Sequence, residues 1–157
     1  MQNPTQNPMQ NVDQRRRIER VQGFAEAFET AYATDDWAVL EPFLADDVSS
    51  ELNGTRVDGR AAVLDSFRVS CDAFDRRFDR RAMRIIEGPE LEDGVVRIKT
   101  VNTYERAGLP PLELIGEEWF HFEGDRIVRH VDQVVNGAEV MGFLAEHGAA
   151  LRPLRAA

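Results

Sequence analysis

Apolar residues recur at spacings of three and four from Asp13 to about Thr34, at Ile18, Val21, Phe24, Phe28 and Tyr32. That period puts them on one face of a helix, with Asp13 placed to cap it. A second, short helix is expected from Asp35-Asp36, carrying Trp37, Leu40, Phe43 and Leu44. Pro42 falls inside this pattern and should kink or shorten it. A third helix begins near Asp58-Gly59, with a stripe of Val63, Phe67, Cys71, Phe74 and Phe78.

Elsewhere the pattern changes to strands. Val48 to Leu52 reads as a short one that ends at an Asn53-Gly54 turn. After the third helix come runs from Arg81 to Glu87, Val95 to Tyr104, Leu112 to Phe122 and Arg126 to Val135. Gly88-Pro89 is expected to end the first of these, and Glu123-Gly124-Asp125 joins the last two as a tight turn. A closing helix spans Gly137 to about His147. Helices first and a strand meander afterwards give an α+β layout rather than alternating βα units. A curved antiparallel sheet wrapped around three N-terminal helices, with a short C-terminal helix, leaves an open cone. The mouth of such a cone is a natural ligand site.

Size and charge narrow the partners. The 157 residues suit one domain, and 43% apolar content is ordinary for a globular chain. Boundaries are expected at 1–12 for a disordered polar tail, 13–150 for the domain and 151–157 for a C-terminal tail. The net charge of −9, from 28 acidic and 19 basic residues, disfavours nucleic acid and anionic membranes. With no apolar run near the ~20 residues of a membrane helix and no secretory pattern, a cytoplasmic location is expected. Cys71 is the one cysteine and reads as a buried thiol on a helix stripe.

Candidate chemistry centres on the last strand. Alternation places Val128, His130, Asp132 and Val134 on one face. A carboxyl beside two valines, if buried, would have a raised pKa and serve as a general acid or base near neutrality. His130 could orient it or shuttle a proton. His121 points to the opposite face, and His147 sits at a helix end. The preceding strand has two possible parities. A three-residue loop puts Glu118, Phe120 and Phe122 on Asp132's side; a two-residue loop puts Glu117, Trp119 and His121 there. The first is preferred because it turns two phenylalanines inward, and it would let Glu118 and Asp132 share a proton. His130-x-Asp132 alone is too small a ligand set for a metal. The sequence has no phosphate loop, nucleophile elbow or nucleotide fingerprint, so no cofactor is expected.

Three segments carry a family likeness. Trp37-Ala-Val-Leu-Glu-Pro-Phe-Leu-Ala-Asp-Asp-Val48 resembles the second-helix signature of SnoaL-like domains. Trp119-Phe-His-Phe-Glu-Gly-Asp-Arg-Ile-Val-Arg-His-Val-Asp132 resembles their final hairpin, and Met141-Gly-Phe-Leu-Ala-Glu-His147 their closing helix. The chain from about Asp13 to Gly148 thus resembles the NTF2-like superfamily, whose cone-shaped (cystatin-like) fold hosts cyclases, isomerases, dehydratases, epoxide hydrolases and non-enzymes. The resemblance implies that Asp132 is the acid–base carboxylate, helped by His130 and Glu118. It supports the inward parity of Glu118. It also implies a homodimer through the outer sheet face, where Ile115 and Trp119 would need covering. Tyr32 matches a tyrosine that ketosteroid isomerases of this fold use, and Asn102 and Tyr104 are further candidates to hold a substrate oxygen. Trp37, Phe67, Phe120, Val128 and Val134 are the expected apolar lining.

Epoxide hydrolases of this fold place an Arg-x-Asp on the middle strand. Here the segment offers Lys99-Thr-Val101 or Asn102 instead, so the triad is incomplete. The first expectation is a cofactor-free enzyme that isomerises, cyclises or dehydrates a hydrophobic small molecule. A non-catalytic ligand- or protein-binding module is the alternative, and a hydrolase with an altered triad is another.

Overall fold

A computed structural model describes residues 8–155. Helix α1 spans Pro8–Thr34 and buries Val21, Phe24 and Ala31. It begins well before Asp13. Proline suits a first helical position because its missing N–H would be unpaired there in any case. Residues 8–12 of the expected tail are therefore helical, and 1–7 lie outside the described residues.

The second predicted helix is a 3₁₀ segment, Trp37–Phe43, with Pro42 inside it. Asp36 Oδ1 accepts from the Ala38 N–H at 3.2 Å and caps it. Helix α2 runs Arg60–Ala73, so Phe74 and Phe78 lie beyond its end, flanking a short 3₁₀ turn at Asp75–Arg77. Only two α-helices thus precede the meander, not three. Helix α3 occupies Gly137–His147 as expected.

Six strands form one sheet: β1 Leu44–Leu52, β2 Thr55–Asp58, β3 Arg80–Glu92, β4 Val95–Glu105, β5 Leu112–Glu123 and β6 Arg126–Val134. Their order is β2-β1-β6-β5-β4-β3. Neighbours are antiparallel except β1 and β6, which run parallel, so the sheet is mixed. As expected, β1 ends at the Asn53-Gly54 turn, which folds β2 back on it. Gly88-Pro89, by contrast, does not terminate β3. Register shifts between Ile85 and Glu90 absorb the pair, and pairing resumes at Glu90. Gly88 takes φ +81°, and a Cβ there would lie 2.6 Å from the Arg97 carbonyl oxygen, so the bulge needs glycine.

Two apolar clusters cover the inner sheet face. Phe24, Trp37, Leu40, Phe67, Val96, Ile98, Phe120 and Ile127 form the larger, under α1, the 3₁₀ segment and α2. Phe78, Tyr104, Leu112, Val140 and Leu151 form the smaller, beside α3. Leu151 is buried and Arg152 pairs with Asp79, so the expected C-terminal tail is anchored at its start. No helix of the described residues is long and apolar enough to cross a membrane.

Candidate acid–base site in an apolar cavity

The helices do not fill the space they enclose. A cavity of about 880 Å³ lies among residues of both clusters, walled mainly by apolar groups such as Phe24, Phe28, Phe67, Met83, Leu114 and Phe120. That volume is within the range of small-molecule sites.

Strand pairing decides which polar groups face it. Glu118 pairs with Asp132 and Phe120 with His130, and all four line the cavity. The preferred parity is therefore the observed one, though not by the expected route. The turn is tight, with Glu123 opposite Arg126, and a register shift near Val128 restores the parity that a three-residue loop would have given. Ile127 takes the buried position, and Val128 does not line the cavity.

His130 is 4% exposed and locked at both ends. Its Nδ1 meets Ser50 Oγ at 3.1 Å and its Nε2 meets Glu118 Oε2 at 2.8 Å. The parallel β1–β6 pairing brings Ser50 opposite His130. Burial disfavours the imidazolium, but the hydrogen bond to Glu118 and the charges of Glu118 and Asp132 outweigh it and raise the His130 pKa. With both ring nitrogens engaged, His130 acts on the site through its charge and its partners.

Asp132 differs. Its side chain makes no hydrogen bond among the described residues, and it faces the cavity. Burial lifts its pKa to about 7; the Glu118 charge adds to the rise, His130 opposes it and Asp75 contributes further. Space around the carboxyl comes from Gly116, where a side chain would meet Asp132 Oδ1 and Thr100 Oγ1.

Of the other anticipated residues, Phe67, Asn102 and Val134 line the cavity; Tyr32, Trp37 and Tyr104 do not. Trp37 is core, and its indole N–H donates to Asp35 at 3.2 Å. Tyr32 lies against the guanidinium groups of Arg76 and Arg81, at 4.5 and 4.8 Å. Tyr104 is buried and donates to Asp75 Oδ1 at 2.6 Å, which occupies the hydroxyl proposed for substrate. Burial, then the Asp75 charge, raises its pKa far above the ordinary tyrosine value. Burial likewise raises the Cys71 thiol, consistent with an inert structural cysteine.

Sequence reasoning missed Ser50, Asp75, Arg81, Thr100 and Gly116, all on the cavity wall. Ser50 had a signal, two residues from Val48 on the same strand face. Thr100 and Asn102 share their strand's inward face, which alternation predicts once either is placed. Asp75 sits in the irregular 3₁₀ turn, where periodicity is silent.

An α+β cone with a carboxyl poised near neutrality in an apolar cavity is the class that fold and site define together. No family model and no curated protein matches the chain. Solved structures do match its fold. A protein of Jannaschia sp. CCS1, provisionally assigned as a SnoaL-like polyketide cyclase, is 14% identical with a TM-score of 0.67, covering 91% of this chain and 98% of its own. A provisionally assigned polyketide cyclase of Xanthomonas campestris pv. campestris is 23% identical, with a TM-score of 0.55 and coverage of 82% and 98%. An LEH-like epoxide hydrolase of M. tuberculosis is 19% identical, with a TM-score of 0.59 and coverage of 87% and 96%. The chain has the NTF2-like fold. At these identities what is shared is the fold.

Proposed function

We propose that this protein is a cofactor-free acid–base enzyme acting on a hydrophobic small molecule, of the isomerase, cyclase or dehydratase type. The observation that carries the reading is the Asp132 carboxyl, free of hydrogen bonds to other described residues, facing an apolar cavity with a pKa raised to about 7. Such a group accepts and returns a proton with little driving-force penalty at neutral pH. Dry walls strengthen its interaction with any charge that develops on the ligand. His130, held between Ser50 and Glu118, is a positioning residue whose charge favours ionised Asp132. The matched structures named as cyclases and as an epoxide hydrolase use the same fold, which makes this chemistry a natural tenant of the cone. Lys99 faces outward to Glu87 at 3.3 Å, so it supplies no triad member to the cavity, and epoxide hydrolysis is the weaker reading.

In the proposed reaction, Asp132 removes a proton alpha to a ligand carbonyl and returns it elsewhere on the same skeleton. The dimer implied by the resemblance belongs to this proposal too, since Ile115 and Trp119 alternate with the inward Gly116, Glu118 and Phe120 on the outer face. The test is deuterium exchange from D₂O alpha to the carbonyl of acetylnaphthalene and related apolar ketones, followed by NMR. Wild type should accelerate exchange, and Asp132→Asn should lose that acceleration by about 10²-fold or more while still binding the ketone. Equal exchange rates in the two proteins would remove Asp132 from the chemistry.

A further inference from the structure

Asp132 is not the cavity's sole polar feature. Further along the same wall, β3 and β4 bring Arg81 and Asn102 together. Arg81 pairs with Tyr104 and Met83 with Asn102, so Arg81 and Asn102 are diagonal neighbours on the inward face. Both line the cavity. The Asn102 side chain makes no hydrogen bond among the described residues, and its Oδ1 is buried without a partner. The Arg81 side chain is 5% exposed. Its Nη1 donates to Glu29 at 2.9 and 3.0 Å, while its Nε is buried without a hydrogen bond, 3.5 Å from Asp75 Oδ2.

Buried polar atoms without a hydrogen bond are rare because each gives up its hydration with no bond in return. Two on adjacent strands, beside one cavity, mark a place where a ligand supplies what the fold leaves out. We infer that Arg81 and Asn102 form a second polar subsite that takes a hydroxyl group of the ligand at the end remote from Asp132.

Chemistry selects the hydroxyl. Arg81 can only donate, so the ligand group must accept there. An amide offers a donor or an acceptor to the cavity depending on how it is turned. A hydroxyl answers either, because it donates once and accepts twice. A carboxylate would have to lie beside Asp75, which carries negative charge next to the same guanidinium. Length follows from the strand. A Cβ on Gly116 would lie 3.5 Å from Asp132 Oδ1, the partner of Gly116 on β4 is Thr100, and Asn102 is two residues further along. At ~3.3 Å per residue the two polar ends are roughly 7 Å apart along the strand. The favoured substrate is therefore a rigid apolar skeleton with a carbonyl at one end and a hydroxyl at the other. This rests on the proposed function for what happens at the Asp132 end, but not for binding at the Arg81 end.

The test is equilibrium binding by fluorescence, with acetylnaphthalene and with an acetylnaphthalene bearing a hydroxyl on its far ring. Wild type should bind the hydroxylated probe about tenfold tighter, the worth of one recovered hydrogen bond. Asn102→Leu should bring the two affinities within about twofold of each other, at the level of the plain ketone. Its melting temperature should not fall, since the change removes an amide oxygen that is buried without a partner. Asp132→Asn should keep the hydroxyl preference, which separates failure of this subsite from failure of the catalytic reading. Equal affinities in wild type, or a preference that survives Asn102→Leu, would overturn the assignment.

Discussion

A Cβ built on Gly116 would lie 3.5 Å from Asp132 Oδ1 and 3.2 Å from Thr100 Oγ1. The absent side chain is what opens the cavity in front of the carboxyl. Gly116 has no positive φ, so a larger residue is not strained by its backbone. A valine there fills the space a ligand must use, and strand propensity favours it. Gly116→Val is expected to weaken acetylnaphthalene binding at least tenfold without lowering the melting temperature. Fluorescence titration beside a thermal melt checks both; unchanged affinity would show that the ligand does not approach Asp132 from this side.

Glu118 and His130 pull the Asp132 carboxyl in opposite directions. Glu118→Gln removes a negative charge and should lower the Asp132 pKa below about 7. His130→Gln removes a positive one and should raise it. Carbon-13 NMR titration of the carboxyl carbon reads the two shifts directly. Movement in the same direction in both variants would mean that packing, not charge, dominates at this site.

Much of this was legible in the chain, for a physical reason. Spacings of three and four at Val21, Phe24 and Phe28 fix a helix face whatever packs against it. Alternation put His130, Asp132 and Val134 on one face, and all three line the cavity. Val128 broke the alternation because a register shift costs the chain one residue and leaves no mark in residue type. The β1–β6 pairing that delivers Ser50 to His130 joins positions eighty residues apart, and no local pattern encodes such a contact. Tyr104 shows the complementary failure. Its strand was right, but its hydroxyl is taken by Asp75 from a 3₁₀ turn.

Tyr104 is accordingly a structural residue. Tyr104→Phe leaves the ring against Phe74 and Phe78 but deprives buried Asp75 of a donor. The expected loss is about 1–3 kcal/mol of stability by urea unfolding, with probe affinity within about twofold of wild type. A large affinity loss at unchanged stability would return Tyr104 to the ligand site.

Asp132 also predicts how stability varies with pH. Its carboxyl titrates near 3.8 when unfolded and about 7 when folded. Between those values the native state holds a proton that the unfolded state has released. Unfolding free energy therefore falls as pH rises through that window, by up to about 1.4 kcal/mol per pH unit. Stability from this group is full below about pH 4 and is lost above about pH 7. His130, whose pKa is also raised, extends the decline beyond its ordinary value of 6.5. Asp132→Asn has no proton to lose, so its stability curve should be flatter between pH 4 and 7 and should cross that of wild type. Urea unfolding at half-unit pH steps in both proteins measures the difference. Parallel curves would mean that the carboxyl is solvated, and the acid–base proposal would fall with it.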